Sequence, residues 1–566
     1  SPQPLAGAAH PSPPAMTDPW WLLPALLVLG SGLVRAEDAS DSCPADGDCA
    51  GSTLAKMRQP VGHLWPHARG FPMNGGNSPH RFGSLPCNLS AQLAWSWAPP
   101  LGKYTNTGVQ PPVVDDQKNL YVQTEDSIRK FTPDGTIMWS WHLPPPWKAG
   151  GQGPWMHKMP SLAGDLLITS LTSGFAFALT TAKGELAWNV SISLQGWIGN
   201  DFGFVVAGED IVIGDSEMAD PRKEVHNKVW ALNATDGSHL WDFWPEIGVW
   251  NFLPHFLGDG TVIFQSWDGG ATRLRLRDGK ELWHSTGGGG KTWTDGGPAA
   301  GPNGVFYTVR GSAGQSEASI GKPGFLDAYR VSDGRRLWST PLEQTPYTYP
   351  VVGHLRKGGP LAVVTGMGSL GGLPVKAYVA MAAAVGVALG TLIGCLLALV
   401  GCRQWKGCCG MLVLCCRRAC LAAALLALAC PIILLCMVPR NFTHSVQAFN
   451  AETGALLWRY DLPPWKWSCA AGDEEGFITR MVHDRVPICL PLASSYPVLD
   501  SQGVFYMGHM DGRLYAIQDR DGDGAIQEES EVCSYDTGGS FSAAGPTLVP
   551  GLLAASTCDS LFVFRQ

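Results

Sequence analysis

Six times along this 566-residue chain a glycine is followed four residues later by a tryptophan: Gly135/Trp139, Gly184/Trp188, Gly237/Trp241, Gly279/Trp283, Gly334/Trp338 and Gly454/Trp458. Four copies also carry alanine ten residues before the tryptophan, in ALTTAKGELAW, ALNATDGSHLW, AYRVSDGRRLW and AFNAETGALLW. Each copy reads as an alternating strand, a turn whose glycine can take positive φ, and a second strand ending in tryptophan, which is hairpin chemistry. Further apolar strands stand upstream, at 166–170, 211–214, 261–265 and 305–309. The repeating unit is a four-stranded antiparallel blade, and a series of blades protects its edges by closing into a ring.

Spacing between successive repeat tryptophans is 49, 53, 42 and 55 residues, then 120 from Trp338 to Trp458. Setting aside the 65 residues 376–440 leaves 55 in the last interval, so an insertion splits the sixth blade between LAVVTG and HSVQAF. Two more units begin at Gly503 and Gly551, and the last has no outer strand of its own. The orphan strand LAWSWAP at 93–99 can supply it. The expected fold is all-β: an eight-bladed β-propeller of four-stranded antiparallel blades, interrupted in the sixth.

The insertion holds 25 uncharged residues, Ala377 to Gly401, and 20 more, Ala419 to Val438, which predicts a two-helix transmembrane hairpin. Between them, 402–418 carries Arg403, Lys406, Arg417 and Arg418 and no acid, so the positive-inside rule puts this loop in the cytosol and both propeller segments in the lumen or outside. Near the start, Met16 followed by the apolar run Trp20 to Val34 predicts a signal peptide over 16–36, with 1–15 as leader and 37–61 as flexible linker. The remaining domains are 62–375 (lead-in segment, closing strand and blades 1 to 6, first part), the hairpin 376–440, and 441–566 (the rest of blade 6 and blades 7 and 8).

Nine of the 16 cysteines lie in the hairpin, leaving seven that face an oxidising compartment under this topology. Cys469 and Cys489, in the long connection between blades 6 and 7, are expected to form a local disulfide. Sequons at Asn88, Asn189, Asn233 and Asn441 fit a glycosylated surface in the secretory pathway or at the cell surface.

The AxDxxTGxxxW-like repeats, with the lead-in WPHARGFPMNGGNSPHRFG from Trp65, resemble the pyrroloquinoline-quinone-type (PQQ-like) eight-bladed propellers of quinoprotein alcohol dehydrogenases and of the bacterial outer-membrane assembly lipoprotein. The resemblance covers 62–566 apart from the hairpin. For the dehydrogenases it implies a quinone beside a disulfide of adjacent cysteines, with a carboxylate base and calcium on the axis. The adjacent cysteines here, Cys408/Cys409 and Cys415/Cys416, lie in the hairpin, which argues against bound PQQ.

One segment has metal-ligand spacing. DRDGDG puts Asp519, Asp521 and Asp523 at alternate positions before a glycine, with the Ala525 carbonyl next, resembling a calcium-binding loop. Position nine is Gln527 and position twelve is Ser530 where glutamate is usual; Glu529 or Glu531 could substitute only with an altered backbone. GMGSLG at 366–371 opens no helix, and GGGGKT at 287–292 lacks the first glycine of a phosphate loop, so neither predicts nucleotide binding. The repeat tryptophans are expected to dock neighbouring blades rather than stack on a cofactor.

Charged residues are 16% and hydrophobic ones 45%, which excludes a disordered chain. With a net charge of -8 and no basic block, nucleic acid is not an expected partner. The expected function is a membrane-anchored, non-catalytic propeller offering a lumenal or extracellular surface to a protein or glycan ligand. The alternative is a quinone- and calcium-dependent alcohol or sugar dehydrogenase. Strand counting puts the hairpin on the face formed by second-to-third connections and interblade links, and the Asp519 loop on the other.

Overall fold

The computed structural model describes residues 62–566 except 71–74, 145–155, 157, 172–173, 193–202, 209, 219–225, 250, 288–291, 293, 295, 313–321, 370, 403–419, 422, 434–440, 490–493 and 542–544. The expected leader, signal peptide and linker, the adjacent cysteine pairs and nearly all of the basic loop lie outside these residues.

Thirty-two strands form eight four-stranded antiparallel sheets. In chain order the blades are β2–β5 (113–142), β6–β9 (161–191), β10–β13 (206–243), β14–β17 (255–285), β18–β21 (299–342), β22–β25 (351–461) and β26–β29 (498–536). The eighth is β30 to β32 (547–565) completed by β1, Leu93–Trp97, whose pairing with β32 runs from Leu93↔Phe564 to Trp97↔Leu561. Joining the first strand of the domain to the last closes the ring and leaves no open edge between first and last blades. Within each blade we call the strands A to D from the axis outward.

The glycine–tryptophan spacing has a steric cause. Gly184 and Gly237 sit in C–D turns with φ of 69° and 72°, and a Cβ on either would lie 2.6 and 2.7 Å from Trp139 and Trp188 of the preceding blade. Both the left-handed backbone and the indole pressed on the turn require glycine. The same indoles donate Nε1–H to the next turn: Trp95 to Pro133 O, Trp139 to Thr181 O, Trp188 to Ala234 O, Trp241 to Leu276 O and Trp283 to Val331 O, at 2.7–3.2 Å. The repeat tryptophans therefore dock blade on blade, as expected.

Blade 6 is whole despite its insertion. β23 (Leu361–Gly368) and β24 (His444–Asn450) pair without a break from Ala362↔Asn450 to Gly368↔His444. From the B–C connection rises a long helix, Val375–Cys402, of which Val375–Leu396 is long and apolar enough to cross a membrane. A second apolar helix, Ala423–Ile433, is shorter. They meet where Gly386 lies against the Leu426 backbone, an approach a side chain at 386 would block. The expected pair of spanning helices is thus represented by one helix of sufficient length among the described residues.

Antiparallel connectivity sorts every loop onto one of two faces. A–B and C–D turns share one face; B–C connections and D–A links share the other, which carries the long apolar helix. The D–A link between blades 6 and 7, a long connection in the sequence, contains a ten-residue helix, Asp473–Val482.

Candidate functional site

The lead-in segment meets the inner strands at the axis. Trp65 exchanges two backbone hydrogen bonds with Val114 of β2 (2.9 and 2.8 Å), and Leu162 N of β6 donates to Pro66 O (2.6 Å). Arg69 Nη2 donates to Pro350 O just ahead of β22 (2.6 Å), and Leu499 N of β26 donates to Gly76 O (2.8 Å). The segment thus bridges blades 1, 2, 6 and 7 from inside the ring. Above it the Arg69 guanidinium lies 5.0 Å from the Tyr349 ring, which meets Tyr496 at 4.4 Å; Phe204 packs 5.5 Å from Tyr496.

This axial cluster is cationic and buried. Arg69 is 4% exposed, and its Nε and Nη1 have no hydrogen-bond partner. Burial lowers its pKa to about 10. Burial holds His67 at about 3, and burial, then the charges of Arg69 and His67, hold His255 at about 3, so both imidazoles are neutral at pH 7. The residues gathered here are a guanidinium, two imidazoles and aromatics. Among the described residues the cluster holds no adjacent-cysteine disulfide of the kind the quinoprotein resemblance implies, and the buried Asp215 beside Gly203 is held by Lys158 (2.6 Å). In the sequence His67 and Arg69 stand only as part of the lead-in, where an imidazole and a guanidinium in so apolar a segment are the available signal.

A second set of charged groups fastens the helix Asp473–Val482 to the ring. Arg480, fully buried, donates to Asp473 Oδ1 (2.6 Å) and to Asp559 Oδ2 (2.9 Å) in the B–C turn of blade 8. Arg485 bonds Asp126 (2.6 Å) and lies 3.7 Å from Glu125 in the B–C turn of blade 1. Burial raises Glu125 to about 7, against the opposing pull of the Thr107 hydroxyl and the Arg485 charge. Burial likewise raises Asp473 to about 6, with Arg480 opposing.

The disulfide expectation is corrected at this helix. Cys489 bonds Cys558, not Cys469, and a second disulfide joins Cys87 to Cys533. Cys469 is a buried free thiol. The helix carries the chain from Cys469, whose carbonyl accepts Trp465 Nε1–H (2.8 Å), to Cys489, whose N–H donates to Asp473 (3.2 Å), beside the blade 8 turn that holds Cys558. Nearness in sequence suggested the wrong partner because an ordered element separates the two.

On the other face, Asp519, Asp521 and Asp523 stand in the C–D turn of blade 7, each offering an oxygen within 4.8 Å of the others. Gly522 N and Gly524 N donate to Asp519 (2.7 and 3.3 Å), and Ala525 N donates to Asp523 (2.8 Å). Burial raises the Asp519 pKa, which lowers its readiness to ionise without a cation. Glu531, buried at the end of a short helix Glu528–Glu531, accepts from Arg520 N (2.6 Å) and Gln527 N (2.9 Å), closing the loop from behind at the residue after Ser530. Where other blades use a glycine turn, this loop pairs Ala525 with Arg459 of blade 6.

Among the sequon asparagines, Asn88, Asn189 and Asn441 are exposed and Asn233 is half-buried. A groove of about 480 Å³ runs along the rim of blade 6, lined by Gln344, Thr443, Arg459, Tyr460, Pro463 and Glu528 among others.

Comparison with known proteins agrees with this architecture. Residues 124–354 match the family of outer membrane protein assembly factor BamB. No curated protein matches the chain. The quinohemoprotein alcohol dehydrogenase of Comamonas testosteroni superposes over 89% of this chain and 81% of its own with a TM-score of 0.52 and 11% identity. A europium-containing methanol dehydrogenase covers 89% of this chain and 98% of its own, with a TM-score of 0.52 and 10% identity. BamB from Moraxella catarrhalis covers 84% of this chain and 99% of its own at 14% identity, with a TM-score of 0.48. At these identities the two dehydrogenase structures speak for the fold alone. With the glycine–tryptophan repeat and the eightfold ring closed by β1, the match over 124–354 makes the chain similar to the PQQ-like repeat β-propellers, whose fold it shares.

Proposed function

We propose that this protein is a membrane-anchored, non-catalytic propeller that presents a lumenal or extracellular binding surface to a protein or glycan ligand. The observation that carries the reading is the axis, where the chain's own Trp65, Pro66, Arg69 and Gly76 bond to four blades and Arg69, Tyr349 and Tyr496 pack together. A quinone seated there would displace its own scaffold. The match to BamB, described as an outer membrane protein assembly factor, supports a role in holding other proteins.

Anchoring is by the insertion 376–440, with Val375–Leu396 as first span, the 419–438 segment as second, and the basic loop in the cytosol. That topology leaves 62–375 and 441–566 on one side, with 16–36 removed as signal peptide and Asn88, Asn189, Asn233 and Asn441 open to glycosylation. The rim groove beside Tyr460 and Pro463 offers the apolar and hydrogen-bonding mixture that a peptide or glycan needs. Calcium bound by Asp519, Asp521, Asp523 and the Ala525 carbonyl would stiffen the blade 7 turn without taking part in chemistry.

The full chain in detergent, given PQQ and calcium, tests the reading against the dehydrogenase alternative. Expected are no saturable quinone binding and no dye-linked oxidation of alcohols or sugars. Saturable binding with turnover would overturn it.

A further inference from the structure

Exposed large apolar side chains are unevenly divided between the two faces. Outside the apolar insertion and the outer D strands, those of the described residues all lie in B–C connections or D–A links: Leu101, Trp244, Trp267 and Trp467, with Ile478, Met481 and Val482 of the helix in the blade 6–7 link. None lies in an A–B or C–D turn. This is the face from which the long apolar helix rises.

The largest concentration is bonded to the foot of that helix. Val375 N donates to Glu474 Oε2 (2.6 Å), Lys376 Nζ to Glu474 O (2.7 Å), and Gly372 N to Ser468 O (2.7 Å), next to Trp467. On the helix Asp473–Val482, Arg480 turns inward to its two aspartates, while Ile478, Met481 and Val482, spaced i, i+3 and i+4, share the outer face. Val482 is 77% exposed and Trp467 63%. Leu101 is exposed in the link that also carries Tyr104, whose ring lies 5.2 Å from the Arg480 guanidinium. Lys466, exposed beside Trp467, and Lys376 add the aromatic and basic pairing that suits a lipid headgroup layer.

We propose that this patch is a second, peripheral membrane contact: the outer face of helix Asp473–Val482 and Trp467 lie in the headgroup and upper acyl region around the foot of the spanning helix, seating the propeller on the bilayer. The occupant is lipid because the patch is continuous with the span; the assignment rests on reading Val375–Leu396 as membrane-crossing. Glu475 and Asp484, both exposed, border the apolar residues, so zwitterionic phosphatidylcholine is the suitable surface.

The test uses the full chain in phosphatidylcholine vesicles, with a fluorescent amino acid placed in turn at positions 392, 467, 478, 482 and, on the opposite face, 502. At 467, 478 and 482, lipid-borne nitroxide should remove most of the emission and aqueous iodide little, as at 392, whereas 502 should show the reverse. Lipid quenching at 392 with iodide quenching at 478 and 482 would overturn the peripheral contact and leave the span standing. Iodide quenching at 392 would overturn the span itself. Shielding of 478 and 482 from both quenchers would mean a second copy or another protein covers the patch, and would equally overturn the proposal.

Discussion

Local side-chain-to-backbone bonds shape the turns of one face of this ring, and buried long-range ion pairs fasten the helix on the other. On the turn face, side chains bond backbone a few residues away: Asp115 accepts from Asn119 N (2.8 Å), Asp500 from Val504 N (2.9 Å) and Asn450 from Glu452 N (2.9 Å). On the link face the partners are remote, with Arg480 reaching Asp559 and Arg485 reaching Asp126 across 79 and 359 residues of sequence. The first kind of bond shapes each turn from its own residues. The second ties the helix Asp473–Val482 and the residues after it to blades 1 and 8 at once, so the link face should be the more fragile to single changes.

Removing one charge from each face gives the largest contrast. Arg480→Ala leaves Asp473 and Asp559 buried without their cation and should cost about 3–5 kcal/mol. Arg565→Ala breaks an exposed pair with Asp134 and should cost about 0–1 kcal/mol. Equal losses in urea unfolding of the two variants would remove the distinction between faces.

A change of pH should separate the faces next. Glu125 on the link face has a folded pKa of about 7, raised from its ordinary value of 4.5, so between these values the native state keeps a proton that the unfolded chain releases. Stability from this group is full below 4.5 and falls as pH rises through 7, by about 1–3 kcal/mol. Glu125→Gln should flatten that fall while leaving stability at pH 4 nearly unchanged. An unaltered pH profile would show that Glu125 is not the group responsible.

The smallest effect belongs to the turn face. Calcium at Asp519, Asp521 and Asp523 should raise the melting temperature by linkage, and Asp521→Ala or chelator should cancel the gain. Melting that is the same with chelator and with millimolar calcium would reduce the loop to an acidic turn.

Legibility followed the same division. The blade count, the split of blade 6 and closure by 93–99 were readable because each blade repeats one local device, a glycine turn pressed by a tryptophan, and repetition makes a short-range signal visible. The Asp519 cluster was readable for a like reason, since alternate carboxylates before glycine are near neighbours. Glu531 was only half foreseen: the short helix after the loop brings it in one residue beyond the usual position.

The sequence by itself determined the ring, its eight blades and the place of its apolar insertion, because hairpins and their docking residues are encoded within tens of residues. Only the tertiary structure decided that Cys489 takes Cys558, that Arg69, His67 and His255 meet at the axis, and that Ile478, Met481 and Val482 face outward beside the foot of the apolar helix. Those placements join residues up to hundreds of positions apart. Their partners are selected by which surfaces ring closure brings together, and no local pattern carries that information.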